Sequence, residues 1–368
     1  MHRNCLIRLN LESICKLGGV ELSVNENLEK LSNAMGVSGR EGEVRELMIK
    51  MMTPYADEVV VDKLENVIAV KKGKSSSPKI MLAAHMDEVG LMVKTISKEG
   101  YLQFAKMGGI DDRILPAQKV MVLSRKGAFP GIIGSKPPHV QKEDERKKVI
   151  APDELFIDVG AECKEAASAM GIAVGDMVGF DVKYVSLGKD VVMGKAFDNR
   201  AGCAAIVEAL RLIQKTDCSV CAVGTVQEEV GLRGAGTAAF GVDPDLALAL
   251  DVTVAGDTPG IREIDTSTKI GKGPALSISD SGLITHPKVL RWLLETAEEE
   301  KIPFQIEAGL MGSTDAARIY LTRQGIPSGN VSIATRYIHS PVAVLSLKDI
   351  EYSAKLTAAA IRNASKHF

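Results

Sequence analysis

Five short polar clusters each follow an apolar stretch or open a helical one: AHMDEVG around His85 and Asp87, AFDNRAG around Asp198, QEEVG around Glu228 and Glu229, LDVT around Asp251, and RYIHSP around His339. Histidines and carboxylates in this proportion suit a pair of zinc-like ions bridged by one carboxylate, each ion keeping an open position. A closed structural site would use fewer groups and would favour cysteine. Taken singly, each cluster has a plainer reading. A histidine beside a strand is more often a hydrogen-bonded structural residue, and an aspartate before a helix, such as Asp198, is more often an N-cap. Glu228 and Glu229 weigh more, because adjacent like charges at the end of the apolar run CAVGTV repel unless a cation or a proton compensates. In the H-x-D of His85 and Asp87 the two side chains share one face of an extended segment, so Asp87 can accept the second ring N–H of a ligating His85.

Such clusters must be positioned by strands that stop where the polar residues begin, the usual place for chemistry in an α/β sheet. Helical spacing is seen at Leu28, Leu31 and Met35 and again at Val44, Leu47, Met48 and Met51, followed by strand-like runs at 58–61, 66–70 and 79–84. From about residue 91 to 188 the pattern changes to short alternating strands (101–106, 119–124, 128–134, 176–185) between Gly and Pro turns, which predicts an inserted β-rich barrel or sandwich. The charged run QKEDERKK at 141–148 reads as a solvated loop or helix end. Beyond 188 the α/β pattern resumes, with helices over 200–213, 287–300, 315–321 and 348–366 and strands at 219–226, 246–250 and 331–333. The fold class expected is therefore α/β: a mixed-sheet α/β/α domain formed by residues 1–91 and 189–368, interrupted by a barrel-like unit at 92–188. The first residues, to about 24, carry no clear pattern.

Bulk properties narrow the function. The 368 residues carry 45 basic and 47 acidic side chains, a formal charge of −2, so there is no basic excess for a phosphate backbone and no nucleic acid partner is expected. No apolar stretch approaches the roughly 20 residues that cross a bilayer, and neither a secretory signal nor an anchor is read. Cysteines at 5, 15, 163, 203, 218 and 221 have no framework spacing, which points to a reducing, cytoplasmic setting. The CxxC of Cys218 and Cys221 lies in a β-branched run whose i and i+3 positions face opposite ways, which argues against a redox or zinc role.

In order and spacing the five clusters resemble the tetrahedral aminopeptidases, the co-catalytic metallopeptidase family that includes glutamyl, leucyl and lysyl aminopeptidases and proteins once labelled endoglucanase M. The resemblance covers residues 28–368 and extends to DTPG at 257–260, GKGPAL at 271–276 and STDAARIY at 313–320. It implies an aminopeptidase acting on short peptides with a free N-terminus through two divalent ions, zinc or cobalt with manganese as a third choice. It further implies that Asp198 bridges the ions, that His85 and Asp251 complete one site, that Glu229 and His339 complete the other, and that Glu228 is the general base with Asp87 supporting His85. Self-assembly into a homododecamer built from dimers is also implied. The chain departs from the family at MGSTDA, with Ser313 in place of a glycine, and at Arg318, read as a helix-face or ion-paired residue with attraction of an acidic substrate side chain as the alternative. His139, in SKPPHVQ, reads as an exposed loop histidine.

Three rival readings were weighed. An amidohydrolase or dipeptidase of the aminoacylase type shares the ligand order but places its lid between the third metal carboxylate and the last histidine, whereas the insert here lies between His85 and Asp198. A glycosidase would need two carboxyl groups and no metal, leaving the histidines without a task, and only 4% of residues are aromatic. A non-enzymatic scaffold with a vestigial site is disfavoured because all the expected positions are intact.

Overall fold

A computed structural model describes residues 7–8, 22–309 and 312–368. Most of the N-terminal segment without a pattern, together with Leu310 and Met311, lies outside them. In chain order the strands are β1 Ile7–Arg8, β2 Glu58–Val61, β3 Val67–Lys71, β4 Lys79–His85, β5 Gly90–Ile96, β6 Leu102–Met107, β7 Lys119–Ser124, β8 Gly127–Gly134, β9 Phe156–Asp158, β10 Met177–Phe180, β11 Val185–Ser186, β12 Val191–Gly194, β13 Ser219–Thr225, β14 Leu246–Val254, β15 Ala275–Ser279, β16 Gln305–Ala308, β17 Ser328–Arg336 and β18 Ala343–Ser346. Twelve of them form one mixed sheet in the order β1-β2-β3-β13-β4-β14-β17-β18-β12-β11, with β15 and β16 branching from β17. At its centre β13, β4, β14 and β17 run parallel.

These central strands read as unbroken apolar runs because both of their faces are covered. Ile80, Leu82 and Ala84 of β4 enter one core, beneath the helices Val24–Asn33, Gly42–Met52, Phe197–Leu212, Pro287–Glu299 and Leu347–Asn363. Met81 and Ala83 enter the other, against the helix Arg233–Val242 and Ile319. The CxxC follows the same division: Cys218 is buried on the first side and Cys221 on the second, both as free thiols. The first helix opens on a capping box that was not read from the sequence, with Ser23 and Glu26 each accepting the other's N–H. The helix Arg233–Val242 was also missed, since its glycines lower helix propensity. They serve close packing instead: a Cβ on Gly234 would lie 2.3 Å from Asn66 Oδ1 and 2.5 Å from the Val226 carbonyl oxygen.

The insert is a closed barrel in the order β10-β5-β6-β9-β8-β7. Leu91, Leu102, Phe104, Val122, Ile157 and Val178 are among the side chains that fill it. One strand was expected over 176–185, but two are found. The chain leaves the barrel after Phe180, the Tyr184 N–H is taken by Asn33 Oδ1 at 3.1 Å, and β11 joins β12 in the large sheet. The charged run holds only a short 3-10 turn, Glu145–Lys147, with Glu145 paired to Lys136. His139 is exposed on a neighbouring 3-10 turn.

A buried charge triad fixes the junction between the two parts. Glu88, just after β4, lies 2.7 Å from Lys195 Nζ and 3.1 Å from Arg200 Nη2, and all three side chains are almost wholly buried. Burial pushes the Lys195 ammonium down to about 8, with Glu88 opposing the shift. The remaining donors reach carbonyl oxygens at the end of the first helix and after β4: Lys195 to Ala34 at 2.6 Å, Arg200 Nε to Met86 at 2.9 Å and Nη1 to Leu31 at 2.5 Å. Removing the shared anion leaves two buried cations uncompensated. Glu88→Gln is therefore expected to lower the unfolding free energy by about 3–5 kcal/mol, and Lys195→Met in that background to recover part of it. Urea denaturation of both variants checks this, and an unchanged midpoint in the single variant would contradict it.

Candidate active site

The carboxyl ends of the parallel strands bring the five polar clusters together. β4 ends in His85 and continues into Asp87, β13 leads to Glu228 and Glu229, β14 carries Asp251, and His339 follows β17. Asp198 enters from the start of the helix Phe197–Leu212, where it and Asn199 have non-helical dihedrals, so regular helix begins near Arg200 as the sequence suggested. That start is locked to the end of β14: Asn199 Nδ2 donates to the Leu250 carbonyl at 2.9 Å and Asn199 Oδ1 accepts the Gly202 N–H at 2.9 Å. Asp198 makes no capping bond. It turns one oxygen to His85 Nε2 at 3.1 Å and the other to His339 Nε2 at 3.4 Å.

Around this carboxylate Asp251 and Glu228 gather at His85, and Glu229 lies between His85 and His339. Asp251 Oδ1 and Glu228 Oε2 lie 3.7 and 3.8 Å from His85 Nε2, while Glu229 Oε2 lies 3.7 Å from His339 Nε2. The ligand atoms of His85, Asp198 and Glu229 fall within 4.8 Å of one another, as do those of His85, Glu228 and Asp251. His85 is deeply buried, whereas the His339 side chain is 44% exposed, so the site opens on its side. Beside Asp198 and His339 lies a small cavity with both polar and apolar lining, among it Glu88, Lys195, Val89, Phe180 and Ile338.

Asp87 acts differently from the simplest sequence expectation. His85 Nδ1 is nearer the Asp87 backbone carbonyl, at 3.1 Å, than its carboxylate, at 3.5 Å. The carboxylate is engaged elsewhere, accepting the Ser38 hydroxyl at 2.6 Å and the N–H groups of Glu228 and Glu229 at 2.9 and 3.1 Å. Despite burial, the facing His85 imidazole above all, then the Ser38 hydroxyl and the Glu228 N–H, hold its pKa below the usual range. It therefore ties the two glutamates to the end of β4.

The electrostatics show a cluster short of positive charge. Burial pushes Glu228, Glu229 and Asp251 well above ordinary carboxylate pKa values, and neighbouring carboxylates add to it. Burial alone would lower the pKa of His85, but Glu228, Asp251, Asp198 and Asp87 together hold it well above the usual value. Asp315 was quoted in the sequence only as part of STDAARIY. It is fully buried, bonded through Oδ2 to the Thr225 hydroxyl, and pushed up to about 6 by burial. Its Oδ1 and Glu229 Oε1 are buried oxygens without a hydrogen-bond partner. Orphaned carboxylate oxygens among histidines are what a divalent cation satisfies, so the donor set fits metal.

The pattern of the M42 glutamyl aminopeptidases matches residues 65–356. The chain belongs to that family. It is 37% identical to the lysyl aminopeptidase of Pyrococcus furiosus over 338 residues, 91% of this chain and 95% of the relative. The crystal structure of a TET aminopeptidase from the Thaumarchaeota archaeon SCGC AB-539-E09 superimposes with a TM-score of 0.90 at 44% identity, covering 92% of this chain and 96% of that one. The Pyrococcus horikoshii TET1 peptidase, which can assemble into a tetrahedron or a large octahedral shell, matches with a TM-score of 0.84 at 34% identity over 92% and 99% of the two chains. As an M42 aminopeptidase this protein is a hydrolase, and the family implies divalent metal ions. The departures from the family pattern lie at the surface. Ser313 is exposed, and the Arg318 stem lies over Gly236 of the helix Arg233–Val242, which favours the helix-face reading.

The pKa directions set the pH response of the metal-free protein. A carboxyl whose pKa is raised by folding holds its proton in the fold while the unfolded chain has lost it, so stability falls as pH climbs from the unfolded value toward the folded one. A raised imidazole acts in the same direction, since its stabilisation is present below about 6.5 and lost above. The lowered Asp87 has the opposite sign, but its contribution is complete below pH 5. The melting temperature of metal-free protein is thus expected to fall from pH 5 to pH 8. Asp315→Asn is expected to flatten the portion between 3.8 and about 6. Differential scanning calorimetry in chelator would detect both, and a metal-free protein that gains stability over this interval would contradict the reading.

Proposed function

We propose that the protein releases N-terminal residues from short peptides by a two-metal mechanism with Glu228 as general base. The observation that carries the reading is the two-sided Asp198 carboxylate, one oxygen toward each histidine. In this reading Asp198 bridges the ions, His85 and Asp251 hold one, and Glu229 and His339 hold the other. Bound there, ions of the zinc, cobalt or manganese class supply Lewis acidity that acidifies water and polarises the scissile carbonyl.

The side chains of this protein supply the rest. Glu228 takes the proton of the attacking water and returns it to the leaving amine. Its neighbour Glu229 is turned to the other half of the site, the two lying on the turn that follows β13. Asp87 keeps both in register through their N–H groups. The acidic site favours a cationic α-ammonium group, which supports exopeptidase action.

We further infer a cytoplasmic enzyme with a catalytic unit of residues 1–91 and 189–368 and an inserted unit, 92–188, that serves dimer contacts. No helix among the described residues is long and apolar enough to cross a membrane. A solved structure of the related PhTET1-12s, with a dodecamer in its asymmetric unit, supports a homododecamer.

Glu228→Gln is expected to keep metal content and KM while lowering kcat by roughly 10²–10⁴. Asp198→Ala is expected to lose metal, read by elemental analysis. Aminoacyl chromogenic substrates, assayed after chelation and after re-addition of each metal, would expose the preferred ion and residue. Near-normal turnover of Glu228→Gln would remove the base assignment, and full metal content in Asp198→Ala would remove the bridge.

A further inference from the structure

The two halves of the site are held by different parts of the molecule. His85 rests its Nδ1 on the Asp87 carbonyl at 3.1 Å, and Asp251 accepts the Val252 N–H at 2.8 Å, so this half is secured within the large sheet. His339 instead turns Nδ1 to the carbonyl of Gly109, at 2.8 Å, in the turn that leaves barrel strand β6. A carbonyl oxygen only accepts, so Nδ1 carries the proton and Nε2 keeps the lone pair that faces Asp198 and Glu229.

The same turn packs on Glu229. Gly108 has φ +84°, and a Cβ there would lie 2.8 Å from Val89 Cγ1 and 3.3 Å from both Cβ and Oε2 of Glu229. A Cβ on Gly109 would stand 3.1 Å from His339 Nδ1. Only glycines allow so close an approach with the left-handed backbone at Gly108. Lys106 clamps the turn, its ammonium donating to the Ile110 carbonyl at 2.9 Å and to Asp112 Oδ1 at 2.6 Å.

We propose that the barrel turn 107–112 is a working part of the second ligand pair: it orients His339 and seats Glu229, and Lys106, Gly108 and Gly109 are positioning residues for the ion held there. The proposal rests on the two-metal reading above. It follows that a shift of the barrel against the sheet loosens one ion and leaves the other in place.

Equilibrium dialysis of metal-free protein against zinc, counting ions bound per chain, tests this without an activity assay. Wild type is expected to bind two ions. Lys106→Met and Gly109→Ala are expected to keep one at wild-type affinity and bind the second at least about tenfold more weakly, with Lys106→Arg recovering part of the loss. Far-UV circular dichroism accompanies each titration. Lys106 is a partly exposed side chain, so Lys106→Met carries the test should Gly109→Ala fail to fold. Variants that bind both ions like wild type, or that weaken both equally, would overturn the positioning role while leaving the two-metal reading intact. A wild type that binds fewer than two ions at saturation would overturn both.

Discussion

The carboxylates of Asp198, Glu228, Glu229 and Asp251 are drawn together by strand ends that point the same way, and in a buried setting their repulsion must be met by positive charge. Two imidazoles do not suffice, since Glu228, Glu229 and Asp251 still hold protons well above their ordinary range. Divalent ions would supply the rest, which makes metal affinity a consequence of the fold's electrostatics as well as of its ligand geometry.

Four of the ten non-glycine residues with positive φ among the described residues lie in or beside the same clusters. Ala196, Gln227, Tyr337 and His339 all have left-handed dihedrals, each costing about 1–3 kcal/mol and persisting only where surrounding contacts over-determine it. At Gln227 those contacts are visible: its N–H donates to Glu41 Oε1 at 3.1 Å, and the next two N–H groups go to Asp87. Glu41 is steadied in turn by the Gly39 N–H at 2.7 Å, and Asp87 by the Ser38 hydroxyl. The segment 38–41 thus backs the turn that carries both glutamates, although it contributes no group to the ligand set.

What could be read in the sequence follows from this division. His85, Asp198, Glu228, Glu229, Asp251 and His339 stood out because covered parallel strands are apolar until they end, and the break in pattern marks the site. The supporting groups left no such trace. Ser38, Glu41, Glu88 and Lys195 meet their partners across long stretches of chain, and no local spacing predicts a contact between Glu88 and Lys195. The carbonyl of Gly109 carries no residue-type signal at all. The helix Arg233–Val242 was hidden because its glycines, unfavourable in an isolated helix, are required where Gly234 meets Val226 and Asn66.

The topology adds a constraint that joins the two parts. The chain departs for the barrel between Glu88 and Gly90 and returns to the sheet through β11 and β12, just before Lys195. The buried Glu88–Lys195 pair therefore closes the neck of the insertion, with Asp87 beside one stalk and Asp198 close beyond the other. Any rotation of the barrel must act across this neck, and an interior ion pair resists it, because separating the charges would leave each unpaired out of water. The barrel's second hold on the site, through Gly108 and Gly109, follows β6 where Met107 pairs with Gly90, and it meets Val89, Glu229 and His339. Next to the buried neck pair the turn is held by a part-exposed lysine, which makes the His339 side the yielding one, and that is also the side on which the site opens to solvent.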